Sequence, residues 1–381
     1  MAIDDGLDRI SDNKPEISRG FEKFDLHEYY AENDAKFSEI YKKLHENNKV
    51  GIIHRGGCGN IPVIYANGKS LAEAWENSLV CLWMNGCFVR TEYDKKADGT
   101  GYFPPSKDCT MIMVVDEPLS EPLIHRSFPG ALGDLEEYRQ EVLDGIKNHW
   151  IRDPNDPNDK RWEYTYNERY RAYGVPGLAE RIDQFEKMAE RLAKSPISRR
   201  VQMVTWQPWI DMEPEVEDPP CWQSYWGRMP RYKEGSHPFL YKDSEGQLYL
   251  NINMRFRSRD AYKAAFMNDF AFILLAKKMS DRISELRGEE VKLGRFIDQS
   301  DSYHIYGSDF EDFSARFLKL LKERNFEDRT WTMEFAQDIF DESKPMIEKK
   351  IREKDEQDKE EKKKKDEENS KDNDNKKDNQ S

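Results

Sequence analysis

The chain has 381 residues, 37% hydrophobic and 35% charged, with a formal net charge of −14 at pH 7. That length allows one large domain or two ordinary ones with a sizeable core, and the acidic balance argues against whole-molecule attraction to nucleic acid or an anionic membrane, so any phosphate site must be a local cluster of cations. Five cysteines without a CxxC pair speak against a disulfide framework and a thiolate zinc site, and the sequence predicts a cytoplasmic protein with no metal and no membrane span.

Residues 1–24 show no apolar pattern and are expected to form a flexible segment, followed by one mixed body over 25–345. No apolar side chain follows Ile351, so residues 346–381 are expected to form a disordered charged tail. Within the body, Ser70 and Glu73 stand in capping-box spacing ahead of a helix closed by Gly86, with Leu71, Ala74, Trp75 and Leu79 on one side. The glycine-rich stretch 55–60 lacks the spacing of a phosphate-binding loop and reads as a turn. Residues 108–118 read as a buried strand ended by Pro118. Asp134 is the expected N-cap of a helix carrying Leu135, Tyr138, Val142 and Ile146 at helical spacing. Residues 181–196 repeat that pattern through Ile182, Phe185, Met188 and Leu192 and stop at Pro196. Segments 199–207 and 248–258 read as strands, and 261–284 as an apolar helix. This alternation predicts an α+β body.

Four separated segments carry residues with chemistry: a Ser-Arg-Arg ending at Arg200, a Pro-Pro-Cys ending at Cys221, an Arg257-Ser258-Arg259-Asp260 run leading to Asn268, and residues 293–306 with His304 and Tyr306. Each has a plain reading alone. A single cysteine is most often an inert buried thiol, paired arginines a solvated strand face, and a helix asparagine a local hydrogen bond. In this order, however, the segments resemble the thymidylate synthase and deoxypyrimidine hydroxymethylase family, with wording closest to the archaeal-type thymidylate synthases. Asn268 falls eight residues after Asp260 and the His-x-Tyr pair follows Leu-Gly-Arg-Phe, as in that family. Tyr166 matches its tyrosine-containing active-site segment, and the likeness spans about residues 134 to 306.

The resemblance implies a layered α+β fold, a large mixed β-sheet covered by helices, and a homodimer that meets sheet to sheet. It implies reductive methylation of dUMP by 5,10-methylenetetrahydrofolate or methylene-tetrahydromethanopterin. Cys221 would be the nucleophile at pyrimidine C6, with Tyr166 beside it. Arg199, Arg200, Arg257 and Ser258 would hold the 5′-phosphate, Asn268 would read the base, His304 and Tyr306 the sugar, and Asp260 the pterin. The chemistry of the residues agrees. A thiolate attacks well and can leave again, arginines beside it would raise the thiolate population, and their forked donors suit phosphate. A carboxamide offers both a donor and an acceptor to the uracil edge. Adjacent strand residues point to opposite faces, so Arg199 and Arg200 cannot both serve one site within one chain, and the resemblance implies that the pair is lent across the dimer.

Departures are equally specific. Trp222 stands where the family has a histidine, Ala264 where it has a glycine, and residues 230–246 lengthen the connection from Cys221 to Arg257. The catalytic glutamate has no evident counterpart. Glu141, beside Tyr138 at the edge of an apolar helix face, is preferred to Glu137 on the more polar side. Hydroxymethyl transfer and a non-catalytic nucleotide-binding paralogue remain as alternatives, with Asn268 favouring uracil over cytosine.

Overall fold

The computed structural model describes residues 24–152, 159, 161–214, 216, 218–233 and 246–378. The expected flexible N-terminal segment, up to residue 23, and most of the long connection after Cys221 lie outside the described residues. The strands are β1 (Val50–His54), β2 (Val63–Gly68), β3 (Cys87–Val89), β4 (Ser106–Val115), β5 (Ile124–His125), β6 (Gln202–Val204), β7 (Trp222–Arg228), β8 (Arg231–Tyr232), β9 (Gln247–Phe256), β10 (Arg259–Asp260), β11 (Val291–Ile305) and β12 (Thr330–Trp331). Ten of them form one sheet in the order β1-β2-β4-β11-β9-β7-β6, with β3, β8 and β10 added to β4, β9 and β11. β2 runs parallel to β4, and β9 and β10 run parallel to β11, among otherwise antiparallel neighbours, so the sheet is mixed as expected.

The helices are α1 (Ala35–Glu46), α2 (Leu71–Asn85), α3 (Leu132–Asp144), α4 (Tyr166–Arg171), α5 (Gln184–Lys194), α6 (Pro208–Asp211), α7 (Ala265–Arg287), α8 (Phe310–Phe313), α9 (Lys319–Glu323) and α10 (Met333–Asp378). α2 packs on β2 and β4, and α7 packs on β11 and β9. α3 and α5 lie against α7, and α10 against α3. α7 is therefore an inner helix, which explains why Phe266, Phe270, Phe272, Ile273 and Leu275 are buried around it rather than along one stripe. Strand periodicity divides the sheet's faces. Leu248, Leu250, Ile252, Met254 and Phe256 of β9 are buried under the helices, while Tyr65, Ile112, Val114, Asn253, Arg255 and Ile297 on the other face are partly or fully exposed.

Local chemistry sets the helix ends. Ser70 Oγ accepts from the Glu73 N–H at 3.4 Å, and the Glu73 carboxylate reaches back to the Lys69 N–H at 2.7 Å. α3 begins earlier than expected. Ala131 occupies the cap position, and Asp134, three residues in, accepts from the Ala131 N–H at 2.9 Å. Residues 57–60 close a tight turn with mutual Gly57 and Asn60 bonds, Cys58 and Gly59 both taking positive φ, as a two-residue hairpin of this hand requires.

The C-terminal segment differs from the expectation of disorder. α10 continues past residue 345, with Ile347 buried, Lys350 Nζ paired with Glu137 at 2.7 Å, and Asp355 accepting from Trp150 Nε1 at 2.7 Å. The charged residues on either side of Ile351 meet the body because α3 and the turn at Trp150 offer them a carboxylate and an indole N–H. The helical backbone runs on to Asp378.

Candidate active site

The site grows from one end of the sheet. β9 and β11 run parallel, so their carboxyl ends lie side by side, and antiparallel β7 begins there. Trp222, the first residue of β7, pairs with Phe256 at the end of β9, which sets Cys221 beside Arg257. The Arg257 N–H donates to the Cys221 carbonyl at 2.9 Å, and the Ser302 N–H to the Arg257 carbonyl at 3.3 Å. The bend holding Arg257 and Ser258 thus joins the thiol to the His304–Tyr306 end of β11, where Asp260 of β10 pairs with His304.

Arg257 braces the Pro-Pro-Cys step directly. Its Nε donates to the Pro220 carbonyl at 3.1 Å and an Nη to the Pro219 carbonyl at 2.5 Å. Cys221 is half-buried and free. Burial pushes its thiol above the ordinary cysteine value, and the opposing pull of Arg257 and Arg259 does not overcome burial plus the Asp218 charge. The expectation that adjacent arginines leave a lowered thiol is therefore not met within a single chain.

Tyr166 and Asn268 arrive from the helices. Thr165 caps α4 through the Glu168 N–H at 3.0 Å, placing Tyr166 so that its hydroxyl accepts from the Trp222 N–H at 3.3 Å. Its ring meets those of Trp222 and Phe272 edge-on or tilted, each at 5.7 Å. Trp222 itself is fully buried in that aromatic layer, 4.6 Å from Phe272, so it walls the site from below rather than facing a ligand. Asn268, in the first turn of α7, donates from Nδ2 to the Tyr138 hydroxyl at 2.5 Å. Tyr138 was legible only as part of an apolar helix face. Its phenol is held far above the ordinary tyrosine range by burial, then by the neighbouring Tyr166 and Glu141.

Glu141, three residues along α3 from Tyr138, is the carboxylate whose charge reaches that phenol. Burial raises its pKa against the opposing Lys147, whose Nζ lies 2.9 Å away. Glu137, expected on the polar side, is also buried. There, burial is outweighed by hydrogen bonds from Lys147 and Lys350, each at 2.7 Å, which hold its carboxyl below the usual range.

His304 is buried, and burial pushes its ring down to about 4. Its ring lies 4.6 Å from that of Tyr306, whose phenol is raised by burial and then by Asp260. Asp260 Oδ1 accepts from the Tyr262 and Lys263 N–H groups at 3.0 and 2.8 Å, capping the turn into α7, while burial raises its carboxyl to about 6. Arg259, unassigned in the sequence reading, is buried beneath, 2.6 Å from Asp269 and 3.2 Å from Asp298. Burial drives the Asp269 carboxyl upward despite that arginine.

Arg199 and Arg200 are not part of this group. Both are exposed and precede β6 instead of lying in it, so the opposite-faces argument does not apply to them. Gln202 pairs with Trp226, and at about 3.3 Å per residue the step from Trp226 back to Cys221 puts the arginines more than about 15 Å from the thiol.

The sequence profile described as "Thymidylate synthase" matches residues 133–350. The chain belongs to the thymidylate synthase family. It is 24% identical over 245 residues to a Methanosarcina acetivorans protein named "Putative thymidylate synthase", covering 64% of this chain and 89% of that one. A Methanocaldococcus jannaschii protein of the same name is 24% identical over 258 residues, covering 66% of this chain and 96% of its own. Among solved structures, the thermostable thymidylate synthase A from Bacillus subtilis aligns with a TM-score of 0.43 at 19% identity, over 65% of this chain and 84% of that one. The family match begins at α3, so the thymidylate synthase region holds Cys221, Tyr166, Asn268 and His304, whereas β1 to β4 and α2 precede it.

Among the described residues no helix is long and apolar enough to cross a membrane, and no three or more His, Cys, Asp or Glu side chains are grouped so as to hold a metal ion.

Proposed function

We propose that this chain converts dUMP to dTMP by reductive methylation, with Cys221 as covalent nucleophile and a 5,10-methylene reduced pterin, folate or methanopterin, as co-substrate. The observation that carries the reading is the meeting of Cys221, Arg257, Tyr166 and the Ser302–His304 strand end through direct backbone and hydroxyl contacts. A scattered set of motif residues would not share those bonds.

In this mechanism Cys221 Sγ adds to C6 as the thiolate. The C5–C6 π pair moves onto C5, and the negative charge spreads to O4. Asn268, with one Nδ2 proton engaged by Tyr138, keeps its other Nδ2 proton for O4 and Oδ1 for N3–H. Arg257 and Ser258 hold the 5′-phosphate, joined by Arg199 and Arg200 of a second copy of the chain. Asp260 commits Oδ1 to the turn, and its second oxygen suits the amide and amine N–H groups of a reduced pterin. When bound, that pterin supplies the carbon that C5 accepts and the hydride that completes the methyl group. Glu141, raised by burial, takes up the C5 proton through water. Loss of that proton expels the spent pterin nitrogen from the transferred carbon. Once the hydride has added, the enolate pair on C5 restores the C5–C6 double bond as Sγ leaves C6 with its own bonding pair as thiolate.

Tritium release from 5-³H-dUMP in the presence of methylene pterin tests the reading. Release with dTMP as product is expected, and Cys221→Ser should abolish it while retaining dUMP binding. A hydroxymethyl product would reassign the reaction, and intact dUMP binding without release would make the chain a non-catalytic paralogue.

A further inference from the structure

Ahead of the family-matched region, β4 carries a buried carboxylate to the end of β11. Asp108 pairs with His304 across the two strands. Asp108 Oδ2 accepts from Ser302 Oγ at 2.8 Å, and the same Oγ lies 3.1 Å from His304 Nδ1. Asp108 and His304 are both nearly fully buried, at 6% and 5% exposed. His304 Nε2 and Asp108 Oδ1 have no hydrogen-bond partner among the described residues.

A hydroxyl owns one proton, and an ionised carboxylate can only accept. Ser302 gives its proton to Asp108, so its oxygen can only accept from Nδ1. A neutral imidazole carries a single N–H, so a proton on Nδ1 leaves Nε2 a bare acceptor. The other tautomer would set the Nδ1 lone pair against the Ser302 oxygen, or turn the serine proton away from a buried carboxylate. A buried acceptor left unsatisfied keeps its full desolvation penalty, which favours occupation of Nε2 by a ligand donor.

We propose that Asp108 and Ser302 form a relay that fixes His304 as the Nδ1–H tautomer, so that Nε2 accepts a hydrogen bond from the 3′-hydroxyl of the bound deoxynucleotide. The identity of that hydroxyl rests on the dUMP reading above, whereas the tautomer rests on the relay geometry alone. Asp108 and Ser302 are positioning residues, and Asp108 comes from the part of the chain that the thymidylate synthase profile does not cover.

The test uses the full chain labelled with ¹⁵N-histidine at about pH 8, above the value near 6 to which burial raises Asp108. The His304 signals are assigned by their loss in His304→Gln. A neutral ring protonated at Nδ1 is expected in the wild type and in Ser302→Thr, which keeps the hydroxyl. In Ser302→Ala, and in Asp108→Asn, whose amide can reverse the relay, the Nε2–H form should gain population. A wild-type ring protonated at Nε2, or one unchanged in both disruptive variants, overturns the relay. Calorimetry with dUMP and its 2′,3′-dideoxy analogue supplies the second arm. The 3′-hydroxyl should favour binding about tenfold in the wild type and in Ser302→Thr, and less than about threefold in Ser302→Ala. An Nδ1–H ring with no preference for the hydroxyl overturns its use on the sugar. Should the wild-type chain not bind dUMP at all, the dUMP reading fails and the ring-nitrogen result still decides the relay.

Discussion

At Cys221 two effects of opposite sign meet, and their balance is measurable. Burial raises the thiol, and Arg257 pulls it down without restoring the ordinary value. The pH profile of Cys221 alkylation by iodoacetamide, followed by mass spectrometry of its peptide, should therefore rise at higher pH than that of a free cysteine. Arg257→Gln should move it higher still, and a profile at or below the free-cysteine one would refute the burial argument. Tyr138→Phe removes the partner of Asn268 Nδ2. It should weaken dUMP binding by about three- to tenfold, the worth of one hydrogen bond, without moving the alkylation profile. Asp108 gives a pH prediction with a definite sign. Its folded value near 6 exceeds the usual carboxyl value, so the fold binds this proton more tightly than the unfolded chain. The associated stability is present at low pH and is lost as pH rises from about 4 through about 6, by at most roughly 3 kcal/mol. Asp108→Asn, which does not titrate, should gain stability relative to wild type across that window and hold the gain above it, less the altered bond to Ser302. Urea unfolding at both ends of the window reads the difference, and a parallel pH dependence in the variant would exclude Asp108 as its source.

Among the elements, α10 shows where sequence reading stops. Ending the chain after residue 345 removes Ile347 and the Lys350–Glu137 pair, and the buried isoleucine alone is worth about 2–4 kcal/mol. That truncation should lower the melting temperature by several degrees, whereas ending after Asp358, past the Asp355 contacts with His149 and Trp150, should leave it nearly unchanged. Equal melting of the two would restore the expected boundary at 345. The helices α2 and α5 were legible because apolar period and end signals such as Ser70 are local properties, and α7 because its apolar run is long. The tail was not, because one buried isoleucine makes no apolar period and its polar contacts reach elements far away in sequence. The cap of α3 was misplaced since an acidic residue serves equally at the cap and three residues in. The motif residues were legible through their order, and the structure joins most of them. Tyr138, Asp108 and Ser302 were not, because each owes its significance to one cross-element hydrogen bond. Asp108 in particular reads as one more residue of a buried strand until β4 is laid against β11.

For the molecule as a whole, the misplaced arginines and the raised thiol point to one remedy. The sheet face bearing Tyr65, Ile112, Val114, Arg255 and Ile297 is partly apolar and only half-covered, and a second copy related by a twofold axis would cover it with the same face. Such a pairing could carry the exposed Arg199 and Arg200 of one chain toward Cys221 of the other, adding positive charge to that of Arg257 and Arg259. Two outcomes follow. Ile297→Lys, which sets a charge in the middle of that face, should shift the protein from dimer to monomer in light scattering and lose tritium release with the helices intact by circular dichroism. Cys221→Ser and Arg200→Ala should each be inactive alone. Mixed in equal amounts and allowed to exchange subunits, they should regain roughly a quarter of wild-type activity, because half the dimers then contain one site with both a native thiol and a native arginine. Failure of the mixture to recover, with exchange verified by mass, would mean that each chain must use its own arginines. That would require the segment before β6 to fold back over more than about 15 Å toward the thiol.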